Sequence, residues 1–188
     1  MRRQAGFTLI ELMVVVAVLA ILAGIAVPAW MKESSQKKAR SEVSTMFTEI
    51  ANKEEQYMAE NNAWVPTGAL GASYSTGLCP AAPSSTGSAD TTPCIQSGQP
   101  WYQLRVAVPT PLVYCSYNIT TGDPTAWPPT LPAELASLTP AVALPAQAPA
   151  SNWYIIDAVC DMDGNSTVNS VYYFSTFDSA IVGVNEGN

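Results

Sequence analysis

The chain opens with two helical patterns laid end to end. Residues 7–30 are uncharged apart from Glu11, and a helix rising about 1.5 Å per residue would cross a hydrocarbon core of about 30 Å over this length. Over 31–60, charged residues are mixed with one apolar stripe at helical spacing. We predict one long helix, membrane-spanning first and then packed on a sheet, ended by Asn61-Asn62 and Pro66. The stripe consists of Val43, Met46, Phe47, Ile50, Tyr57 and the adjoining Met58.

The remainder, residues 61–188, has the pattern of a β-rich head. Several runs are rich in β-branched and aromatic residues, which favour strands. We expect an α+β fold in which an antiparallel sheet of about four or five strands packs against the amphipathic half of the helix. The predicted strands are 101–108, 112–118, 153–160, 168–176 and 180–184.

Two long connections interrupt the head. Residues 66–100 are rich in Gly, Ser, Thr and Pro, and predict a loop with room for a short helix or strand. Residues 123–151 contain seven prolines, which exclude a regular strand, although 133–138 could form a helical turn. We interpret this second segment as an insertion on the head that is either a passive surface loop or a site of partner contacts.

All four cysteines follow the apolar run. An even number of cysteines beyond a membrane span predicts two disulfides in an oxidising compartment. Three pairings exist, and we favour Cys79–Cys94 with Cys115–Cys160. The alternative is four reduced, buried thiols.

Charge and composition argue against two classes of function, nucleic-acid binding and enzyme activity. Residues 61–188 carry eight acidic side chains and only Arg105 as a base, a net charge of −7. Such a surface repels phosphate backbones, so no nucleic acid is expected at the head. The chain has no histidine, no Gly-rich phosphate loop and no metal-binding spacing of cysteines, so we expect no enzyme activity.

A basic cluster follows the apolar run directly. It comprises Lys32, Lys37, Lys38 and Arg40, and it either contacts lipid phosphates or forms a solvated helix face. Because these charges offset Arg2 and Arg3, a count of positive residues does not by itself orient the chain in a membrane.

The apolar run by itself fits a signal peptide or a plain membrane anchor. It is longer than the core of about 7–15 residues in most signal peptides. Neither interpretation explains Glu11, because a carboxylate within an apolar span costs a few kcal/mol.

The residues around Glu11 carry a specific motif. Gly6-Phe7-Thr8-Leu9-Ile10-Glu11 follows a short basic leader and precedes the long apolar stretch, and it resembles the processing signal of class III prepilins in the type IV pilin family. The resemblance implies that residues 1–6 are a leader which a prepilin peptidase removes after Gly6. Phe7 would become a methylated N-terminus, and Glu11 the fifth residue of the mature chain.

The same resemblance implies a structural role. The precursor would sit in the bacterial inner membrane with its head in the periplasm. A pilus assembly platform would then join it to other pilin subunits in an extracellular filament for attachment, twitching motility or DNA uptake. Within the family, major pilin, minor pilin and type II secretion pseudopilin remain open. The alternative from another class is a secreted or anchored extracellular binding protein.

Glu11 is a candidate assembly residue. Phe7 and Glu11 lie four positions apart and share a helix face. Cleavage would create an ammonium group at Phe7, and a buried carboxylate strongly seeks such a partner. We hypothesise that pairing of Glu11 with the Phe7 ammonium of a neighbouring subunit sets the axial register of the filament.

Gly24 and Pro28 mark a candidate helix break. Pro28 has no N–H for the carbonyl of Gly24, and its ring crowds that carbonyl. A kink or local break is expected between them. We predict a helix that is continuous in the membrane and loosened here in the filament.

Asp161 and Asp163 offer a weaker candidate site. Clustered carboxylates suit calcium, but the glycine of Asp161-Met162-Asp163-Gly164 stands at the fourth position rather than the sixth of a calcium loop. Asp-Gly also favours a hairpin turn. We favour the turn, keep calcium as the alternative and expect no other cofactor.

Overall fold

A computed structural model describes residues 8–65, 74–75, 77–139, 141–165 and 169–186; for Lys32, Tyr74 and Ser75 it describes the backbone only. Gly6 and Phe7, the predicted processing residues, lie outside the described residues. The helices are α1 (Leu9–Asn61), α2 (Pro100–Leu104), α3 (Ala133–Ala136) and a 3₁₀ turn at Thr92–Ile95. The strands are β1 (Tyr74–Ser75), β2 (Ala89–Asp90), β3 (Leu112–Val113), β4 (Cys115–Gly122), β5 (Trp153–Cys160), β6 (Ser170–Ser175) and β7 (Asp178–Val184).

Helix α1 confirms the expected long stem and its end. At its C-terminus Asn62 adopts a left-handed conformation with φ 54°, and its N–H donates to the carbonyl of Met58. Asparagine tolerates this conformation better than most residues, so it is a suitable helix stop. The helix runs through Pro28 without interruption. The loosening predicted between Gly24 and Pro28 concerns the filament and stays a prediction.

The main sheet has five antiparallel strands in the order β1-β4-β5-β6-β7. Strands β4 and β5 pair along their whole length, from Cys115 opposite Cys160 to Gly122 opposite Trp153. Strands β2 and β3 form a separate two-stranded ribbon. The predicted α+β class with an antiparallel sheet is confirmed.

The first core lies between α1 and one face of the sheet. The apolar stripe meets the inward side chains of the central strands, and Phe47 packs edge to face on Tyr117 with ring centroids 6.2 Å apart. Full burial of a large apolar side chain contributes about 1.5–3 kcal/mol. The stripe therefore fixes which side of α1 faces the head. Its fully buried members are Val43, Met46, Phe47 and Ile50, with Tyr57 and Met58 at the margin.

A second core covers the opposite face of the sheet. Leu135 of α3 and Leu138 pack on Trp153 and Ile155 of β5, so the proline-rich segment forms a layer over the sheet. The interpretation as a passive surface loop is therefore wrong for these residues. Every residue of β5 is buried as a result.

One predicted strand is wrong. Residues 101–108 begin with the short helix α2, in which Pro100 occupies the first turn and Trp101 and Leu104 both point into the core. Proline suits a helix N-terminus because its missing N–H has no helical partner there. Arg105 then ends the helix in a left-handed conformation with φ 55°.

Candidate functional site

The N-terminal half of α1 carries the largest unpartnered apolar surface of the described chain. Fifteen large apolar side chains between Leu9 and Met31 are each 50% to 79% exposed. Soluble monomers rarely expose contiguous apolar patches beyond a few hundred Å². By length and composition α1 is also the one helix among the described residues that could cross a membrane. This surface requires lipid or other protein as its surroundings.

The carboxylate at the start of this surface is held by its own chain. Thr8 is the N-cap of α1, and its N–H and hydroxyl both donate to Glu11 Oε2, at 2.9 and 2.7 Å. The N–H of Glu11 in turn donates to Thr8 Oγ1 at 3.3 Å. This reciprocal capping box satisfies two helix N–H groups and also the carboxylate. Our sequence reasoning missed the role of Thr8, although a Thr three residues before Glu ahead of an apolar run is its signal.

A second carboxylate fixes the helix to the head. Glu42 accepts hydrogen bonds from the backbone N–H groups of Tyr114 and Cys115 and from the hydroxyl of Tyr117, all at 2.9–3.0 Å. It thereby supplies the acceptor for the backbone N–H groups where β4 begins. Burial and the neighbouring Glu42 raise the pKa of Tyr117 well above its ordinary value. The sequence pattern gave no sign of this role, because a glutamate on an amphipathic helix is ordinarily solvated.

Further contacts tie α1 to the head. Glu49 Oε1 accepts from the N–H of Ala107 at 2.9 Å. Near the membrane end, Gln36 Nε2 donates to the carbonyl of Glu186 at 2.7 Å, and Arg40 pairs with the carboxylate of Glu186 at 3.2 Å. The head is thus attached to α1 on two sides of the stripe.

Both disulfides are present in the pairing favoured from the sequence. Cys115–Cys160 joins the paired ends of β4 and β5. Cys79–Cys94 closes the 66–100 connection, and Cys79 also exchanges two backbone hydrogen bonds with Tyr117 of β4. Both bonds therefore anchor the head close to Glu42 and the beginning of β4.

Asp161 and Asp163 lie in a turn after β5. Asp161 Oδ1 accepts from the N–H of Gly164 at 2.7 Å, and Asp163 accepts from the backbone and side chain of Asn165. Gly164 has φ +76°, a conformation that glycine adopts at no steric cost. These contacts are those of a turn. Calcium binding here stays the untested alternative to the turn, to be checked by comparing melting temperatures with added calcium and with a chelator.

The structure also contains buried acids that the sequence did not reveal. Asp157 lies on the face of β5 under the proline-rich layer, where Asn118 Nδ2 donates to its Oδ1 at 3.0 Å. Burial raises the pKa of Asp157 well above its ordinary value, and Glu134 of α3 adds to this effect. A neutral carboxyl is therefore favoured beneath this layer.

Glu54 lies on α1 and is buried against the segment that follows the helix. Its Oε2 accepts from the N–H of Val65 at 3.0 Å, and burial raises its pKa to about 8 against an ordinary 4.5. Because the folded-state pKa is the higher one, the protonated form stabilises the fold. That stabilisation is complete below pH 4.5 and is lost as the pH rises to about 8.

Replacing Glu54 by Gln should remove this pH dependence. Glu54→Gln keeps an acceptor for Val65 but cannot ionise, so its stability relative to wild type should rise between pH 4.5 and 8, by a few kcal/mol in order of magnitude. Chemical denaturation at several pH values measures the difference. Glu60→Gln, an exposed change on the same helix, controls for the lost charge. Parallel curves for wild type and Glu54→Gln would contradict the prediction.

Comparison with known proteins finds one family match and several similar proteins. Residues 1–27 match the family described as "Prokaryotic N-terminal methylation motif". A type IV wide pilus major component, PilA4 of Thermus thermophilus, is 40% identical over 65 residues, covering 34% of this chain and 48% of that protein. The type II secretion system core protein G of Aeromonas hydrophila is 39% identical over 69 residues, covering 35% and 46%.

A fimbrial protein of Pseudomonas aeruginosa is similar over a shorter stretch, with 49% identity over 51 residues, or 26% of this chain and 33% of that protein. The matched segments thus span about half or less of the length of these relatives. No solved structure matches the chain. The family match lies on residues 1–27, the segment in which α1 begins.

Proposed function

We propose that this chain, which belongs to the type IV pilin and pseudopilin family through its N-terminal segment, is a structural subunit of a bacterial type IV pilus that polymerises through α1. The observation that carries the proposal is the exposed apolar half of α1, joined to a processing motif. A membrane solvates this surface before assembly, and packing against other copies would bury it afterwards. The role is mechanical, and the head needs no catalytic residues for it.

The proposed assembly of the subunit has two stages. It first waits in the inner membrane with its head in the periplasm, where the two disulfides form. A prepilin peptidase then cuts after Gly6, Phe7 is methylated, and an assembly platform moves the subunit into the filament. The filament is exposed outside the cell and serves attachment, twitching motility or DNA uptake. The subunit is either a major or a minor pilin of that filament.

The mature N-terminus tests this proposal directly. Intact mass and N-terminal sequencing of the mature protein should show a methylated Phe7 and no residues 1–6. A start near Trp30 would indicate a secreted binding protein, and an intact Met1 would indicate a plain anchor. Either of these outcomes would overturn the pilin proposal.

A type II secretion pseudopilin is the second candidate. The match to a secretion system core protein is slightly longer than the match to a pilus component, 69 against 65 residues, and nearly as similar, at 39% against 40% identity. Deletion of the gene distinguishes the two roles. Loss of surface filaments with normal protein secretion supports the pilin, whereas loss of secretion supports the pseudopilin.

A further inference from the structure

An open groove of about 590 Å³ lies between α1 and the chain segment that leads into β4. One wall is the polar face of α1, including Ser34, Lys37 and Lys38. The other wall is mainly apolar, and includes Pro109 and Val113. The two lysines lie at the end of the groove nearer the exposed apolar surface of α1, and they suit the anionic group of a ligand that enters from that end.

The charges of the groove favour an anion. Lys37 pairs with Glu33 at 2.7 Å on the exposed surface, whereas Lys38 has no ion-pair partner among the described residues. Glu42 also lines the groove, but its oxygens accept hydrogen bonds from Tyr114 and neighbouring donors of the head. The ammonium of Lys38 is therefore available to a ligand.

The groove begins at the level where a membrane surface would lie. Trp30 and Met31 end the exposed apolar surface of α1 and are 70% and 61% exposed. Ser34 follows Trp30 by about 6 Å along the helix axis, and Lys38 by about 12 Å. The polar headgroup layer is about 5–8 Å thick on each side. Because helical side chains lean towards the N-terminus, the lysine side chains extend back towards this layer.

We propose that this groove binds the headgroup of an anionic membrane phospholipid while the subunit waits in the bilayer. Lys38, assisted by Lys37, binds the phosphate and Ser34 hydrogen-bonds to the headgroup, while Pro109 and Val113 close the side of the groove that lies further from the bilayer. The inference rests on the proposed function only in requiring that α1 spans a membrane. A lipid is favoured over an acidic segment of a second copy because the groove opens just above the apolar span.

Lipid binding can be measured on the full chain by native mass spectrometry in a mild detergent, with phosphatidylglycerol or phosphatidylcholine added separately. Wild type should retain one phosphatidylglycerol in clear preference to phosphatidylcholine. A basic residue near an anionic surface accounts for about a fivefold change in binding, so Lys38→Glu should lower the preference at least about fivefold. Lys53→Glu is the matched control, since it lies about 22 Å further along the same helix.

Each other outcome overturns the inference. Equal loss in the Lys38→Glu and Lys53→Glu variants would show a non-specific charge effect, and no preference in wild type would show that the groove binds no anionic lipid. If Lys38→Glu keeps lipid binding but abolishes filaments, the groove holds a second copy instead. A chain that stays in the aqueous phase without detergent would refute the membrane span, and with it the proposed function. Near-UV circular dichroism confirms that each variant keeps a folded head.

Discussion

Cells that carry Glu11→Ala in place of the wild-type chain should make few or no surface filaments, with sheared subunit reduced at least about tenfold. Glu11 is the only charged residue of the apolar half of α1. In the isolated chain two donors of Thr8 satisfy its carboxylate. Processing would add an ammonium group at Phe7. Removing one partner of a buried ion pair leaves the other charge uncompensated and costs about 3–5 kcal/mol, well above the 1.4 kcal/mol that a tenfold change represents. Without the carboxylate, incoming subunits would lose this pairing and their axial register.

Two further variants separate the charge from the capping box. Glu11→Gln keeps an oxygen that accepts from Thr8, since Gln also serves at this position of a capping box, but it cannot form the ion pair. We expect it to assemble as poorly as Glu11→Ala. Thr8→Ala removes the hydroxyl and leaves the charge, so we expect only a partial loss. Immunoblots of the sheared and membrane fractions measure assembly, and N-terminal sequencing must show normal processing. Wild-type filament yield from Glu11→Gln would refute the ion-pair hypothesis.

The elements that the sequence predicted correctly are those whose residue pattern is compatible with few structures. An uncharged run and an apolar stripe at 3.6-residue spacing leave few alternatives to a long helix. Strand β5 was placed correctly because Trp153–Cys160 is rich in β-branched and aromatic residues. The same run is apolar at nearly every position rather than at alternate ones. Burial on both faces explains this pattern, which was a sign of the second core that we did not use.

The errors arose where tertiary context decided the outcome. Residues 101–108 have strand-forming side chains, but Pro100 starts a helical turn that directs Trp101 and Leu104 to the core. The roles of Glu42, Glu54 and Asp157 depend on what packs against them, and a single sequence does not encode that contact locally. The sequence therefore predicted the motif around Glu11, but it did not predict the contacts that attach α1 to the head.

Glu42→Ala should destabilise the head more than any other exposed-face substitution on α1. The change leaves the N–H groups of Tyr114 and Cys115 without their acceptor, and each unsatisfied buried donor costs about 1–3 kcal/mol. The total of about 3 kcal/mol corresponds to a melting temperature lower by about 10 °C for a domain of this size. Thermal unfolding of the detergent-solubilised chain, followed by near-UV circular dichroism, measures the head without interference from the membrane helix.

Glu49→Ala is the matched control for this loss. Glu49 lies two turns along the same helix and accepts a single backbone hydrogen bond, from Ala107, so its removal should lower stability by about 1 kcal/mol. Glu42→Gln should fall between the two, because its amide oxygen still accepts one bond while its NH₂ group opposes another N–H. Equal melting temperatures for Glu42→Ala and Glu49→Ala would show that Glu42 is not the attachment point. If Glu42→Ala is strongly destabilised, this carboxylate is the main attachment of α1 to the head, at the point where Cys115–Cys160 holds the two central strands together.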